Sequence, residues 1–346
     1  MKHKLPFLLN AIRWVNISVL VVFFFLGLPA LSMGEEKDQL SSYVESFPEG
    51  WIDWDNGMIY GVGKGFLKQN NNSKNKSLRA AQVIAQQSVV KVAARIRLNG
   101  RQTLETLEKE SGVISLKAFI RSEEHQTVFE SNGGQPHVKV ICKAPLTGIQ
   151  GLTARLLDHL RTKPSAWQEF PKPTDKKDIE DEEAPWLLLD ARQLVVQNGV
   201  KPALFPKIIS ASGETIYDLK TVEEDALTKR GMAKYVVSDM PLEQLSFRRD
   251  VIDQKIAGLL ELLCARKAYA EEERKKRKRR KFIVTEVAQA QGLMKTNLII
   301  SEDDARKVSA EDASSRILKK CRVIIVMSSA IGGVEGSIPR YLAFNY

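Results

Sequence analysis

The sequence predicts an exported α+β protein of two domains, the first arranged β-α-β-β-α and the second a mixed α/β domain with an inserted long helix. Three features lead to this prediction: an apolar leader near the amino terminus, two separate sets of strand and helix patterns, and a proline-rich acidic stretch between them. Of the 346 residues, 43% are hydrophobic and 27% are charged, which is typical of globular protein. Without the leader, the chain is long enough for two modest domains that each bury a core.

Residues 1–34 have the pattern of a signal peptide. The apolar core, residues 17–28, has the length of a secretory h-region and is short for a membrane span. A basic flank precedes it and small residues suited to signal peptidase follow it. These residues are Lys2, Lys4, Arg13, Ala30, Ser32 and Gly34, with cleavage expected after Ser32 or after Gly34.

The leader predicts where the protein acts. Cleavage gives a protein of the periplasm or the outer-membrane periphery, and the alternative is an inner-membrane protein anchored by an uncleaved N-terminal helix. ATP and reduced nicotinamide cofactors are not available in that compartment, so most enzyme classes that depend on them are excluded and we expect no cofactor. The formal charge of +10 falls to about +7 on cleavage, a balance that favours anionic envelope polymers or lipid headgroups as partners.

The first predicted domain covers residues 55–160. Its elements follow from apolar periodicity, helix-forming composition and turn residues. In chain order they are a strand over 58–66, a helix over 77–98 ended by Gly100, a strand over 112–129, a hairpin turn at 132–134, a strand over 138–144 and a helix over 152–160. Residues 35–56 are polar and lack periodicity, so we expect a connector anchored by Trp51 and Trp54.

Glycines occupy alternate positions of the first predicted strand, at Gly61, Gly63 and Gly65. The helix after it carries small and apolar residues at three- and four-residue spacing: Ala81, Ile84, Ala85, Ser88, Val92 and Ile96. We expect the glycines to clear one face of the sheet so that this narrow helix face can lie close to it. A phosphate-binding loop is rejected, because neither GxGxxG nor GxxxxGK[ST] is complete.

A linker over 161–185 is predicted between the domains, since it contains four prolines and an acidic run at 178–183 that cannot bury itself. The second domain, 186–330, begins with an apolar run at 186–190 that is typical of a buried strand. Its other predicted strands are 203–210, 216–217, 281–287, 297–300 and 322–327. Two capped helices are predicted from Ser301 with Asp304 and from Ser309 with Asp312.

A long helix over 241–281 is predicted as an insertion in the second domain. Leu242, Leu245, Ile252, Ile256, Leu259 and Leu263 follow a coiled-coil alternation over about three heptads. The helix ends in eight consecutive basic residues: Arg274, Lys275, Lys276, Arg277, Lys278, Arg279, Arg280 and Lys281. We interpret the run as a solvated helix end or as a contact to anionic lipid or polymer; export and the absence of interleaved aromatics argue against nucleic acid. The helix itself is expected to mediate self-association or binding to envelope proteins.

We predict no catalytic, cofactor-binding or metal-binding residues. Asp190 and the acidic group 302–304 are the alternative, as a metal or acid/base cluster. However, Asp303 and Asp304 are expected in the first turn of a helix, where carboxylates cap free N–H groups, and Asp190 is expected to form a local ion pair or turn with Arg192. The four histidines are scattered, and the three cysteines (Cys142, Cys264 and Cys321) form no CxxC pair. We interpret them as buried thiols, with one internal disulfide as the most they could form.

Parts of the sequence resemble a known family. MIYGVGKGF, the helix RAAQVIAQQSVVKVA and the hairpin end VKVICKAPLTG resemble the lipoprotein-20 domain of bacterial envelope proteins, over about residues 55–160. That domain occurs in outer-membrane lipoproteins and in flagellar accessory proteins such as flagellar assembly protein T. The second half, with WLLLDARQL and NLIISEDDARKV, resembles a region that follows such domains in uncharacterised exported proteins. The resemblance implies a non-enzymatic protein with no catalytic residues to carry over. No lipobox cysteine is present, so a lipid anchor is not implied.

The sequence therefore predicts a non-catalytic cell-envelope protein, a structural or assembly component near the outer membrane or the flagellar basal body. The alternative is a periplasmic hydrolase that acts on an envelope polymer.

Overall fold

The computed structural model describes residues 41–67, 73–112, 115–131, 135–162, 167–174, 184–197, 199–238 and 282–328. The predicted leader 1–34, residues 163–166 and 175–183 of the predicted linker 161–185, the hairpin turn 132–134 and the helix 241–281 with its basic run lie outside these ranges. The described chain is mixed α+β, as predicted. None of the helices within these ranges is long and apolar enough to cross a lipid bilayer.

The first sheet has five antiparallel strands in the order β2-β3-β4-β6-β5. Its strands are β2 Val44–Phe47, β3 Gly50–Asp53, β4 Met58–Phe66, β5 Glu123–Glu130 and β6 His137–Pro145. The accompanying helices are α1 Ser73–Ala94, α2 Leu104–Ser111, α3 Leu116–Phe119 and α4 Leu152–Arg161. The predicted strands at 58–66 and 138–144 and the helix at 152–160 are confirmed to within a residue at either end.

Helix α1 lies directly on the glycines of β4. A Cβ atom on Gly63 would stand 2.1 Å from the carbonyl oxygen of Ala81, and one on Gly65 would stand 2.0 Å from that of Ser77. No side chain fits in that space, so the backbones of strand and helix approach as closely as only glycine permits. The predicted role of the alternate glycines is confirmed.

The predicted end of this helix is wrong. Helix α1 ends at Ala94, and the buried residues Ile96 and Leu98 belong to an extended segment instead. The backbone of this segment bonds to the second half of the chain, where the N–H of Phe205 donates to the carbonyl of Leu98 (2.8 Å). Ile84, assigned to the buried face by its spacing, is exposed, and Val89 is buried in its place.

Two further segments differ from the prediction. The strand expected over 112–129 begins only at Glu123, because Leu116 and Phe119 are buried on the single helical turn of α3. Gly112 instead ends α2 with a φ of +59°. The expected connector before residue 56 forms β2 and β3 together with β1 Ser41–Ser42, and both Trp51 and Trp54 are buried.

The second half contains two sheets. One has the order β1-β10-β14-β7-β11, in which all neighbours are parallel except β1 with β10. The other has the order β12-β13-β8-β9. The elements of this half are β7 Trp186–Asp190, the 3₁₀ helix Arg192–Gln197, β8 Ile208–Ser210, β9 Thr215–Tyr217, α5 Glu224–Arg230, β10 Lys234–Val237, β11 Phe282–Glu286, β12 Gln289–Gln291, β13 Asn297–Ile300, α6 Glu302–Ser315 and β14 Val323–Met327.

Apolar runs correctly predicted the centre of the parallel sheet, since every residue of β7 and of β14 is buried. The strand predicted at 203–210 is shorter than expected and covers only Ile208–Ser210. Residues 203–205 do not join the strand, because their backbone groups bond elsewhere. Ala203 bonds through its N–H and its carbonyl to the Tyr235 hydroxyl (3.1 Å each), and Leu204 donates to the carbonyl of Arg97 (2.9 Å).

The two halves are joined around a polar junction. The guanidinium of Arg97 donates to both carboxylate oxygens of Glu45 (2.6 and 3.0 Å) and to the carbonyl of Pro202 (3.3 Å). The indole of Trp54 also donates to Glu45 (3.1 Å) and stacks edge-on against Tyr235. Buried apolar residues of both halves form one continuous core around this junction. Whether the halves are separate domains with the predicted bounds stays a prediction.

Candidate functional site

The carboxyl edge of the parallel sheet is the candidate site, because ligands of open α/β sheets bind outside the carboxyl ends of the strands. The strands β10, β14, β7 and β11 run in the same direction and end at Val237, Met327, Asp190 and Glu286. Two of these ends carry carboxylates. Asp190, singled out from the sequence, is therefore at the position where an α/β enzyme places reactive groups.

Asp190 is held by Arg192. Both side chains are largely buried, with 8% and 17% of their surfaces exposed. One carboxylate oxygen accepts from the backbone N–H of Arg192 (3.1 Å) and from its Nε (2.8 Å), and the other accepts from Nη2 (2.8 Å). The predicted local ion pair is confirmed.

The second carboxylate at this edge is also paired. Oε2 of Glu286 accepts a hydrogen bond from the side-chain amide of Gln193 (3.2 Å), which joins β11 to the turn after β7. The backbone at the edge is satisfied too, since Val287 donates to the carbonyl of Asp190 (2.9 Å) and Ala191 to that of Val326 (2.9 Å). Each of these contacts stabilises the strand ends.

The pairing with Arg192 engages both oxygens of the Asp190 carboxylate. The planar guanidinium of Arg192 covers both oxygens of Asp190 in a charge-assisted, two-point contact. A general base or nucleophile needs a free lone pair directed at substrate. What this arrangement can do is fix the strand end and its turn.

The acidic group 302–304 lies elsewhere, at the start of α6. The hydroxyl of Ser301 accepts from the N–H of Asp304 (3.1 Å), so the predicted cap is confirmed. Asp303 pairs with Arg306 on the helix surface. The backbone N–H of Ser212 donates to Glu302, and this bond lowers the pKa of the glutamate. These acids act on the helix end and on the β8–β9 turn.

The second predicted cap is wrong. Ser309 lies inside α6, which runs without a break to Ser315. Asp312 caps the turn after the helix instead, since its carboxylate accepts from the N–H of Leu318 (2.7 Å), and burial raises its pKa. A spacing of three residues between Ser and Asp recurs by chance within a polar helix, so the motif alone did not distinguish a start from an interior.

Cys142 and Cys321 are buried free thiols, as the sequence suggested. Burial raises the pKa of the Cys321 thiol to about 12 and also raises that of Cys142. Cys264 lies outside the described residues. Across the described part of the chain, no three His, Cys, Asp or Glu side chains are grouped to hold a metal ion.

Sequence reasoning missed the junction of Glu45 with Arg97. The two residues are 52 positions apart, and Glu45 belongs to a segment expected to be a connector. Burial raises the pKa of Tyr43, which lies nearby, to about 12. The position of Arg97 between two apolar residues, Ile96 and Leu98, was the one available signal.

Comparison with known proteins gives one family match. Residues 186–329 match the model for the second domain of Treponema pallidum Tp0624. The matched range runs from the first residue of β7 past the end of β14, so it includes the whole carboxyl edge. A search of curated proteins found no match to the chain. The lipoprotein-20 resemblance of the first half stays a prediction.

Proposed function

We propose that the protein is an exported, non-catalytic component of the bacterial cell envelope that works by binding other envelope components. The observation that carries this proposal is the pairing of Asp190 with Arg192. The carboxyl edge of the parallel sheet is where this fold would present a catalytic acid, and its most buried carboxylate is used to fix a turn. A glycosidase that acts on envelope polymers typically needs a carboxylate that reaches a substrate or a water.

The remaining candidate acids support the same proposal. Asp304 accepts a hydrogen bond from the capping hydroxyl of Ser301, Glu302 holds the turn between β8 and β9, and Asp303 faces solvent beside Arg306. They belong to the amino-terminal turn of one helix, where carboxylates are stabilising for electrostatic reasons alone. Their positions therefore need no catalytic explanation.

The evidence for where the protein acts comes from the sequence. The leader 1–34 supports export, and the lipoprotein-20 resemblance supports the outer-membrane periphery or the flagellar basal body. We propose that the helix 241–281 provides the assembly contact, through its stripe of Leu and Ile and its terminal run of eight basic residues. Burial of one such side chain stabilises a contact by about 1.5–3 kcal/mol.

Cell fractionation with cross-linking tests the proposal. The full chain with a carboxyl-terminal tag is expressed in a bacterium, and the envelope is separated from the cytoplasm before and after chemical cross-linking. We expect the protein in the envelope or periplasmic fraction, in cross-linked species that Ile256→Asp diminishes. Gln254→Asp, which adds the same charge off the apolar stripe, serves as the control.

Two outcomes would contradict the proposal. A leader-bearing protein that stays in the cytoplasmic fraction contradicts export. Cross-linked species that are equal in wild type, Ile256→Asp and Gln254→Asp contradict a role of the helix in assembly, whatever the location of the protein.

A further inference from the structure

The outward surface of α1 carries positive charge and no negative charge. Its solvent side carries Lys76, Arg79 and Lys91, and between them the exposed Val83 and Ile84. We call these five residues the cationic face. Residues 73–94 contain four basic side chains and no acidic one. Within the described residues, Lys76, Arg79 and Lys91 form no ion pair.

The positive charge in the first turn of α1 is unfavourable for the helix itself. The first turn of α1 contains Lys74 and Lys76 and no acid. A helix amino terminus carries partial positive charge, so cations there are unfavourable and acids are the usual choice. Lys74 lies over the ring of Phe129, 4.7 Å from its centre, which partly compensates for one of them. For Lys76 no compensating contact is present in the described chain, and such departures from local preference occur at functional surfaces. Arg79 lies beyond the first turn, and Lys91 lies in the last turn, where a cation is favourable.

The apolar part of the face is also exposed at some cost. Val83 and Ile84 are 39% and 42% exposed, although their neighbours Gln86 and Gln87 show that polar residues fit this surface. β-Branched residues also reduce helix propensity slightly, so helix formation does not explain them. Two adjacent aliphatic side chains in the middle of a basic surface are what contact with a partly apolar partner requires.

The surface is rigidly presented. The opposite side of α1 rests on the glycines of β4, and Ala81, Ala85 and Val89 are fully buried there. Lys76 and Lys91 are about 22 Å apart along the helix, at 1.5 Å per residue. The face is therefore a preformed strip whose ordering adds little cost to binding.

We propose that the cationic face of α1 binds the surface of an anionic phospholipid bilayer. Lys76, Arg79 and Lys91 would pair with phosphate and other acidic headgroups, and Val83 and Ile84 would enter the boundary between headgroups and acyl chains. Basic side chains are attracted to anionic lipid headgroups, and apolar side chains that reach the acyl boundary add to that attraction. An anionic polymer would satisfy the three cations and leave the two aliphatic side chains without a role. This inference concerns a surface that the proposed function does not use, and it is independent of the basic run 274–281.

Vesicle flotation tests the proposal on the full chain. Vesicles of phosphatidylcholine with 30% phosphatidylglycerol are compared with vesicles of phosphatidylcholine alone, at low and high salt. Each variant is made in the natural chain and in a chain with residues 274–281 converted to Ser and Gln, which separates the two basic regions. Every variant carries the same residues 1–34, so any contribution of the leader is common to the variants and the wild type.

We expect Lys76→Gln/Arg79→Gln/Lys91→Gln to lower partition onto anionic vesicles by on the order of a hundredfold at low salt, in both backgrounds. Val83→Ser/Ile84→Ser should lower it by about tenfold and leave its salt dependence in place. The control Arg101→Gln/Lys220→Gln/Lys229→Gln removes three exposed cations elsewhere and should have little effect. Circular dichroism checks that each variant is folded.

Three outcomes would overturn the proposal. The first is equal partition of the wild type and the triple variant onto anionic vesicles in both backgrounds. The second is an equal loss in the control variant, which would indicate net charge rather than a surface. The third is a triple variant that no longer binds immobilised polyglutamate but partitions onto anionic vesicles as the wild type does. That result would assign the face to an acidic polymer.

Discussion

At the scale of single residues, the glycines of β4 set how closely α1 approaches the first sheet. We expect Gly63→Ala to destabilise the protein by about 3 kcal/mol, because the added Cβ would stand 2.1 Å from the carbonyl oxygen of Ala81. Denaturant unfolding of the purified protein measures this. Ala80→Ser on the outward side of α1 is the control. A loss for Gly63→Ala no larger than that of the control would show that α1 does not rest on β4 as described.

The pair of Glu45 with Arg97 is the second residue-scale test. Its side chains are 14% and 18% exposed, and removal of one partner leaves a desolvated charge. We expect Arg97→Met to cost about 3 kcal/mol and the double variant with Glu45→Gln to cost less than the sum of the two single changes. The more exposed pair of Arg95 with Glu49 provides the control, since Arg95→Met should cost under about 1 kcal/mol. Additive effects at Glu45 and Arg97 would argue against the junction.

The buried thiols give a third test. Burial raises the pKa of Cys321 to about 12, so the thiolate that reacts with alkylating reagents is scarce at pH 8. In a Cys264→Ser variant, we expect iodoacetamide to label neither Cys142 nor Cys321 in the folded protein and to label both after unfolding. Mass spectrometry locates the label. Rapid labelling of either cysteine under native conditions would contradict its burial.

At the scale of elements, α6 distinguishes a real cap from a coincidental motif. Ser301→Ala should destabilise the protein by about 1 kcal/mol, since it removes the oxygen that accepts from the N–H of Asp304. Ser309→Ala, at the same spacing from an aspartate but inside the helix, should be neutral or slightly stabilising, because alanine is the better helix former. Thermal unfolding of the two variants measures the contrast. Equal effects would mean that α6 does not begin at Ser301.

The elements that could be predicted are those whose local pattern agrees with their final packing. Strand β7 is a continuous apolar run and is buried on both faces, and the glycines of β4 have no explanation other than a close neighbour. Helix α3 could not be predicted, because its four residues are too few to show a helical period and their β-forming neighbours dominate the pattern. The strands β2 and β3 have four residues each, which is too few to show an alternating pattern.

In the candidate site, too, only the contacts between residues close in the sequence could be predicted. Asp190 and Arg192 are two positions apart, so their pairing was evident from the sequence. Glu45 and Arg97 meet only because β2 joins the first sheet beside the segment that follows α1. No local pattern records that contact.

At the scale of the whole molecule, the contact between the halves determines how fragments behave. The N–H groups of Leu204 and Phe205 bond to the 97–98 segment, and Gly148 donates to the carbonyl of Thr228 (2.6 Å). Arg161 also forms an ion pair with Glu224 (2.7 Å). The backbone contacts cross between the two predicted domains, the pair of Arg161 and Glu224 joins the first residue of the predicted linker to the second domain, and all of them add to the shared core.

We therefore expect limited proteolysis to cut the predicted linker 161–185 and to leave two folded fragments that remain associated. Denaturing gels should show two bands, and gel filtration of the same digest should show one species of unchanged elution. Fragments that separate under native conditions would mean that the junction contributes little to stability. Resistance to cleavage throughout the linker would contradict the predicted two-domain division.

The central claim is that the protein binds rather than catalyses, and turnover of envelope polymers by the purified protein tests it most directly. Purified wild type, Asp190→Asn and Asp303→Asn are incubated with peptidoglycan, and soluble products are quantified by mass spectrometry, with circular dichroism to confirm folding. The account predicts no product above a heat-denatured control in any sample. Reproducible turnover by the wild type that is lost in folded Asp190→Asn and kept in Asp303→Asn would contradict it and would place a catalytic acid at the carboxyl edge of the parallel sheet.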